Sequence, residues 1–270
     1  MGVAACASGA PCWRGGGLQS WILPIVVSPC VGSFLGVLIR RLPAGREVAW
    51  ARSACEACGT AIAARDLVPL GSYVALRGRC RACAAPIAGF PPAVELTALG
   101  VACIAAIAAP PDDTARLWIG CGLGWALLAL AWIDWEHLRL PDAITLPLVP
   151  AGLAATLSLA PEALAAHAAG AALGYAAFRG FAWAYRRLRG REGLGRGDAK
   201  LLAVAGAWLG WEALPTVVLI AALAGLGVAG ALALRRGGLD RGARLPFGPC
   251  LALAVWLCWW LGAGGPSWSV

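Results

Sequence analysis

Charged side chains are scarce in this chain: they make up 13% of 270 residues, against about 25% in an ordinary soluble domain. That shortage excludes a water-soluble globule with a polar shell and points to a polytopic membrane protein. Histidine is almost missing, with His137 and His167 the two present. There is no Gly-x-Ser-x-Gly elbow, no His-Glu-x-x-His helix and no phosphate-binding loop, so the familiar signatures of serine hydrolases, zinc proteases and nucleotide hydrolases do not apply. The net charge of +8 raises nucleic acid as a partner. The arginines, however, sit in short loops without interleaved aromatics, so no nucleic acid is expected. Orientation signals and contacts with anionic membrane lipid account for them.

What the chain has is apolar sequence, 60% of it hydrophobic. After a Gly- and Ala-rich stretch at 1–17, expected to be poorly ordered, residues 15–39 carry no charge. Further charge-free runs cover 96–111, 117–133, 143–161, 163–178, 201–211, 213–234 and 245–270. Crossing a bilayer as a helix takes about 20 residues, and most runs reach that once flanking small residues are added. The expectation is an all-α polytopic membrane protein of about eight transmembrane helices. The first (18–41) reads as an uncleaved anchor, since its positive charge (Arg40, Arg41, Arg46) follows the apolar run. Region 42–91 is a polar loop, 92–264 holds the other seven helices, and 265–270 is a tail. With the first loop placed in the cytoplasm and the spans alternating, only Arg14 and Arg116 of the 22 lysines and arginines fall outside. This charge bias puts both termini outside.

That topology bears on two carboxylates. Asp134 ends the third run and Asp198 precedes the sixth, both on the cytoplasmic side. The run from Leu201 to Trp211 would span only about 17 Å as a helix, against a core of about 30 Å. To cross, the helix has to take in Asp198 and Lys200 or the membrane has to thin locally, and either way Asp198 is expected below the surface. Gly195 and Gly197 before it permit close backbone approach. Ionisable groups inside a membrane are costly and default to functional sites. Two carboxylates sharing a site do not both ionise easily, so one can activate water while the other donates a proton. Composition leaves other readings open: Asp134, Glu136, His137 and Asp142 as the polar end of a helix hairpin, or a proton relay in a proton-coupled transporter built on Asp134 and Asp198. Asp142, after Pro141, is placed to help cap the next helix. His137 lies close enough in sequence to tune Asp134, or is a polar helix-end residue.

Eleven cysteines are present. Cys55-x-x-Cys58 and Cys80-x-x-Cys83, in the polar loop, have the paired spacing that suits tetrahedral thiolate coordination of a structural zinc. Cys6, Cys12, Cys30, Cys103, Cys121, Cys250 and Cys258 are scattered, mostly in apolar runs, and read as small buried residues.

These motifs together resemble the type IV prepilin peptidases, the bifunctional prepilin leader peptidase/N-methyltransferase family, from about Val31 to Val255. Gly32-Ser33-Phe34-Leu35 with Arg41-Leu42-Pro43 is similar to the end of that family's first helix, and the cysteine pairs to its tetracysteine loop. Glu95 is similar to the residue that opens the family's second helix. Ile133-Asp134 with Leu140-Pro141-Asp142-x-x-Thr145 resembles the first catalytic motif, Gly195-x-Gly197-Asp198-x-Lys200 the second, and Pro246-Phe247-Gly248-Pro249 the final-helix signature. The resemblance implies a membrane aspartyl endopeptidase of the bacterial inner membrane with Asp134 and Asp198 as catalytic pair. It would cut prepilins or pseudopilins after glycine at the cytoplasmic face, then methylate the new N-terminus using S-adenosylmethionine. Gly36, where the family often has Asn, and Leu67-Val68-Pro69, where it often has Asn-Ile-Pro, depart from the pattern in the part associated with methylation. A peptidase without methylation therefore stands as an alternative.

Overall fold

A computed structural model describes residues 18–48, 53–110, 112–190, 195–236 and 246–262. The expectations for 1–17 and 265–270 lie outside them. Among the described residues the chain is all helix, with no named strand. The helices are α1 (Leu18–Arg41), α2 (Gly71–Ala75), α3 (Phe90–Ala108), α4 (Thr114–His137), α5 (Asp142–Leu159), α6 (Leu164–Arg189), α7 (Arg196–Leu209), α8 (Leu214–Arg236) and α9 (Gly248–Leu261). Each of the eight apolar runs becomes one long helix, and α2 is a single turn in the polar loop.

Five helices, α1, α3, α4, α5 and α8, are long and apolar enough to cross a membrane. The expected eight spans are therefore matched in part. At about 1.5 Å per residue, the 14 residues of α7 and of α9 reach only about 21 Å. The third helix outside the five, α6, ends in Arg186, Arg187 and Arg189.

Local chemistry sets the helix ends. Asp113 caps α4 by accepting from the Arg116 backbone N–H at 2.8 Å, one of the donors a helix start leaves unpaired. α3 opens on Pro91-Pro92 at its first positions, where a missing N–H costs nothing. α1 carries Pro24 and Pro29 inside. Pro29 leaves the Ile25 carbonyl without its helical donor. The Ser28 hydroxyl donates to that carbonyl at 2.7 Å and replaces it, as apolar surroundings require.

Glycine decides how closely the helices approach. On α6, Gly170 and Gly174 face α7, where a Cβ at Gly170 would sit 2.7 Å from the Gly206 carbonyl oxygen and one at Gly174 2.6 Å from that of Leu202. A Cβ at Gly206 would collide with the Gly170 backbone. The two backbones touch, in the small-residue mode by which membrane helices associate. Further along this interface, buried His167 bridges Thr156 of α5 (2.9 Å) and the Ala207 carbonyl of α7 (3.1 Å). On its other sides α7 packs against α5 and α9, and α9 packs against α4. This 14-residue helix is thus enclosed, with every residue from Leu201 to Leu209 buried.

The scattered cysteines divide. Cys121, Cys250 and Cys258 are buried, as expected; Cys103 is half-buried, and Cys30 is exposed on the outer face of α1. Cys30 was expected to be buried, but an apolar α1 needs no protein cover there, because a membrane helix turns such a face to lipid. Cys6 and Cys12 lie outside the described residues.

Gly206→Leu is expected to push α6 and α7 apart and to cost about 1–3 kcal/mol as overpacking does. Thermal unfolding in detergent checks this, with Gly227→Leu on α8, where a side chain would meet nothing within 4 Å, expected to leave the transition unmoved.

Candidate active site

Two acidic side chains are buried where α4, α5, α7 and α9 converge. Asp134, in the last turn of α4, is 6% exposed, and Asp198, in the first turn of α7, is 8% exposed. They lie close enough for the charge of Asp134 to act on Asp198. Each is held by one backbone donor. The Gly248 N–H, at the start of α9, donates to Asp134 Oδ2 at 2.9 Å, and the Gly195 N–H donates to Asp198 Oδ2 at 3.2 Å. Helix starts offer unpaired N–H groups and a favourable dipole to a carboxylate. Neither carboxylate has a cationic partner among the described residues. Buried charges are normally paired, so this arrangement is not explained by stability.

The glycines around the pair each make room for a neighbour. A Cβ at Gly195 would lie 3.0 Å from Asp198 Oδ2, and one at Gly197 2.8 Å from the Leu140 Cβ, in the α4–α5 turn. At Gly248 it would fall 2.8 Å from the Asp134 Cγ. Lys200, two residues past Asp198, pairs with Asp142 at the start of α5. It thereby ties α5 to α7 and leaves the buried carboxylates to each other. Asp142 is the first residue of α5, an acidic side chain in its first turn, and it also takes this ion pair. His137 is exposed and lies 3.9 Å from Glu136, turned to the polar end of the hairpin.

The sequence pattern brought out Asp134, Asp198, Gly195 and Gly197, and the fold brings all four together. It missed Gly248 and Leu140 as members of the site. The signal for Gly248 was present in Pro246-Phe247-Gly248-Pro249, without anything to say which side chain it faced. Glu95 belongs to a different contact. It sits in the second turn of α3 and does not open the helix, which starts earlier because Pro91 and Pro92 favour a helix start. Buried there, it accepts the Leu70 N–H at 2.7 Å, joining the polar loop to α3. Leu70 is held at φ 54.

The four loop cysteines meet. Their sulfurs all lie within 4.8 Å of one another, with Cys55 and Cys83 3.9 Å apart. Zinc–sulfur bonds of about 2.3 Å place tetrahedral sulfurs about 3.8 Å apart, so the group fits a zinc ion. The two pairs share one backbone form. Gly59 donates to the Cys55 carbonyl and Ala84 to that of Cys80, each at 2.9 Å, while the Cys55 and Cys80 N–H groups donate to Thr60 and Ala85. Gly59 and Ala84 occupy equivalent positions with φ 70 and 55. The Thr60 hydroxyl beside Cys58 brings its thiol down to about 6, and backbone N–H groups, that of Cys83 foremost, lower Cys80. These two shifts favour the thiolate that a metal needs, while the neighbouring thiols, Cys58 foremost, push Cys83 up to about 11. Arg81 donates two hydrogen bonds at 3.0 Å and one at 2.7 Å to Asp66, tying the second knuckle to the loop that reaches Glu95.

Helices of membrane-spanning length, two buried carboxylates from separate helices and a tetracysteine knuckle define a polytopic protein with a two-carboxylate site. A sequence profile of the type IV leader peptidase family matches residues 121–230, and one of the bacterial peptidase A24 N-terminal domain matches residues 26–109. A prepilin leader peptidase/N-methyltransferase of Burkholderia pseudomallei (strain 1026b) is 44% identical over 253 residues, covering 84% of this chain and 81% of the relative. Proteins of the same name from Aeromonas hydrophila and Pseudomonas aeruginosa are 39% and 36% identical, over 87% and 86% of this chain and 88% and 87% of their own. No solved structure matches. The chain belongs to the type IV leader peptidase family.

Purified protein is expected to hold one zinc ion, lost on Cys55→Ser and displaced as pH falls and protons compete for the sulfurs. Elemental analysis across pH checks this; a zinc content indifferent to the substitution contradicts it.

Proposed function

We propose that the chain is an intramembrane aspartyl endopeptidase that removes the leader of type IV prepilins or pseudopilins. The observation that carries this reading is the burial of Asp134 and Asp198 at one site, each held by a backbone N–H and neither paired with a cation. The family membership and the relatives' shared name support the substrate class. In this reading all eight long helices lie in the bacterial inner membrane with both termini outside. The distribution of lysine and arginine supports that orientation and sets the carboxylates at the cytoplasmic face.

The chemistry follows from two carboxylates sharing one proton. The ionised member takes a proton from water, whose oxygen adds to the carbonyl carbon of the glycine that ends the leader. The protonated member donates to the carbonyl oxygen. As the tetrahedral intermediate collapses, the C–N bond breaks and a carboxyl returns a proton to the departing nitrogen. The products are a leader with a new carboxylate and a mature chain with a free N-terminal amine. Gly248 and Gly195 orient the two carboxylates, and the Asp142–Lys200 pair fixes the start of α7. Zinc held by Cys55, Cys58, Cys80 and Cys83 would cross-link the polar loop, which has little core of its own.

Methylation of the new amine is the second half of the proposal, supported by the relatives' names. S-adenosylmethionine would supply the methyl group. Among the described residues no strand and glycine loop form the cradle that commonly holds a nucleotide, so no residue is assigned to it and no step is routed through it.

Processing of a purified prepilin, followed by mass spectrometry of the products, tests both halves. Asp134→Asn and Asp198→Asn are each expected to cut cleavage by about 10²–10⁴-fold, the usual contribution of a general acid or base. Normal processing by either variant contradicts the mechanism. A mature N-terminus without an added methyl group leaves the peptidase and removes the methyltransferase.

A further inference from the structure

An apolar groove of about 500 Å³ opens on the flank of α7 and is used by nothing described so far. Leu173 and Ala177 of α6 form one wall, Leu214 and Val218 of α8 the other. Leu202 of α7 lies on the floor and Trp211 closes one end. No charged residue lines it, so water or a polar peptide is a poor occupant.

The groove is continuous with the carboxylate site in two ways. Leu202 follows Asp198 by four residues, which puts the two on one face of α7, about 6 Å apart along the axis. Away from Trp211, Phe178 of α6 meets Phe247 at a centroid distance of 6.4 Å. Phe247 directly precedes Gly248, whose N–H holds Asp134. Gly225 of α8 lies beside the Phe247 ring, where a Cβ would make ordinary contact at 3.8 Å. The aromatic pair thus links α6, which walls the groove, to the backbone that holds Asp134.

We infer that this groove is the docking site for the membrane-embedded apolar helix of the substrate, lying along α7 with its N-terminal end at the Phe178–Phe247 pair. This rests on the peptidase reading. Asp198 is buried at the start of a helix too short to span, so a scissile bond must be brought to it from within the membrane. The segment that continues from that bond then has to be apolar and has to lie beside α7. Between α6 and α8 is a surface on α7 that meets both conditions. The aromatic pair would mark where the helix gives way to the extended peptide that is cut.

The test fills the groove from its exposed wall. Ala177 is exposed, so Ala177→Trp adds bulk without entering the α6–α7 contact. Cleavage of full-length prepilin in proteoliposomes is compared with that of a short soluble peptide spanning the same junction but lacking the apolar helix. The ratio of the two rates is expected to fall about tenfold or more, in line with the cost of overpacking. Leu226→Trp, on a lipid-facing part of α8 that is 71% exposed, leaves the ratio unchanged. In an Asp198→Asn background, a benzophenone side chain at 177 is expected to cross-link prepilin, and one at 226 is not. An unchanged ratio, or cross-links at 177 to lipid alone, overturns the docking site while leaving the peptidase reading in place. Cleavage of both substrates by Asp198→Asn at the normal rate overturns the peptidase reading itself.

Discussion

The structure depends on keeping two carboxylates apart from water and from any cation, in a bundle with few other polar side chains to share the cost. Asp134 and Asp198 each receive one backbone N–H, from Gly248 and Gly195, and neither has a cationic partner among the described residues. A pair of buried acids so sparsely supported weakens a fold. Such a pair needs a reason other than stability, and the proposed peptide hydrolysis by shared protonation supplies one. The nearby cation that could have neutralised them, Lys200, is committed to Asp142. That ion pair both anchors α7 and preserves the site's charge.

Holding α7 in place falls mainly to packing. Its 14 residues are wrapped by α5, α6 and α9, and the approach of α6 is close enough that glycine is required on both helices. Without a hydrophobic driving force inside lipid, such van der Waals contact is what membrane helices have to associate with. The helix that carries Asp198 is therefore the one with least freedom to move. Rigidity at the supporting helix is what a two-carboxylate site demands, since small displacements of catalytic groups are costly. The polar loop is organised separately. Its cysteines converge on one point, and Asp66–Arg81 and Leu70–Glu95 lead from there to α3.

Much of this was legible in the residues. Eight charge-free runs became eight helices, because a stretch without charge leaves a chain little else to form in lipid. The run after Lys200 is short, and α7 begins at Arg196 and includes Asp198 and Lys200, although its 14 residues do not make it one of the helices long enough to cross a membrane. Two pairs of cysteines at metal-ligand spacing closed into one group. What could not be read were contacts across the fold. Gly248 reaches Asp134 over 114 residues and Lys200 reaches Asp142 over 58, and no local periodicity encodes either. Glu95 was placed at a helix start, when its burial against Leu70 depends on how the loop folds back. The number of membrane crossings was also beyond the charge pattern alone, since α7 and α9 gain burial from their neighbours rather than from length.

The central claim is that Asp134 and Asp198 act as one unit, and the most direct test is their coupling. Prepilin cleavage would be measured for Asp134→Asn, Asp198→Asn and the double variant. Groups that share one step are strongly non-additive. The residual rate of the double variant should therefore match that of the single variants. A double variant whose loss equals the product of the two single losses would show the carboxylates acting independently and would contradict the account.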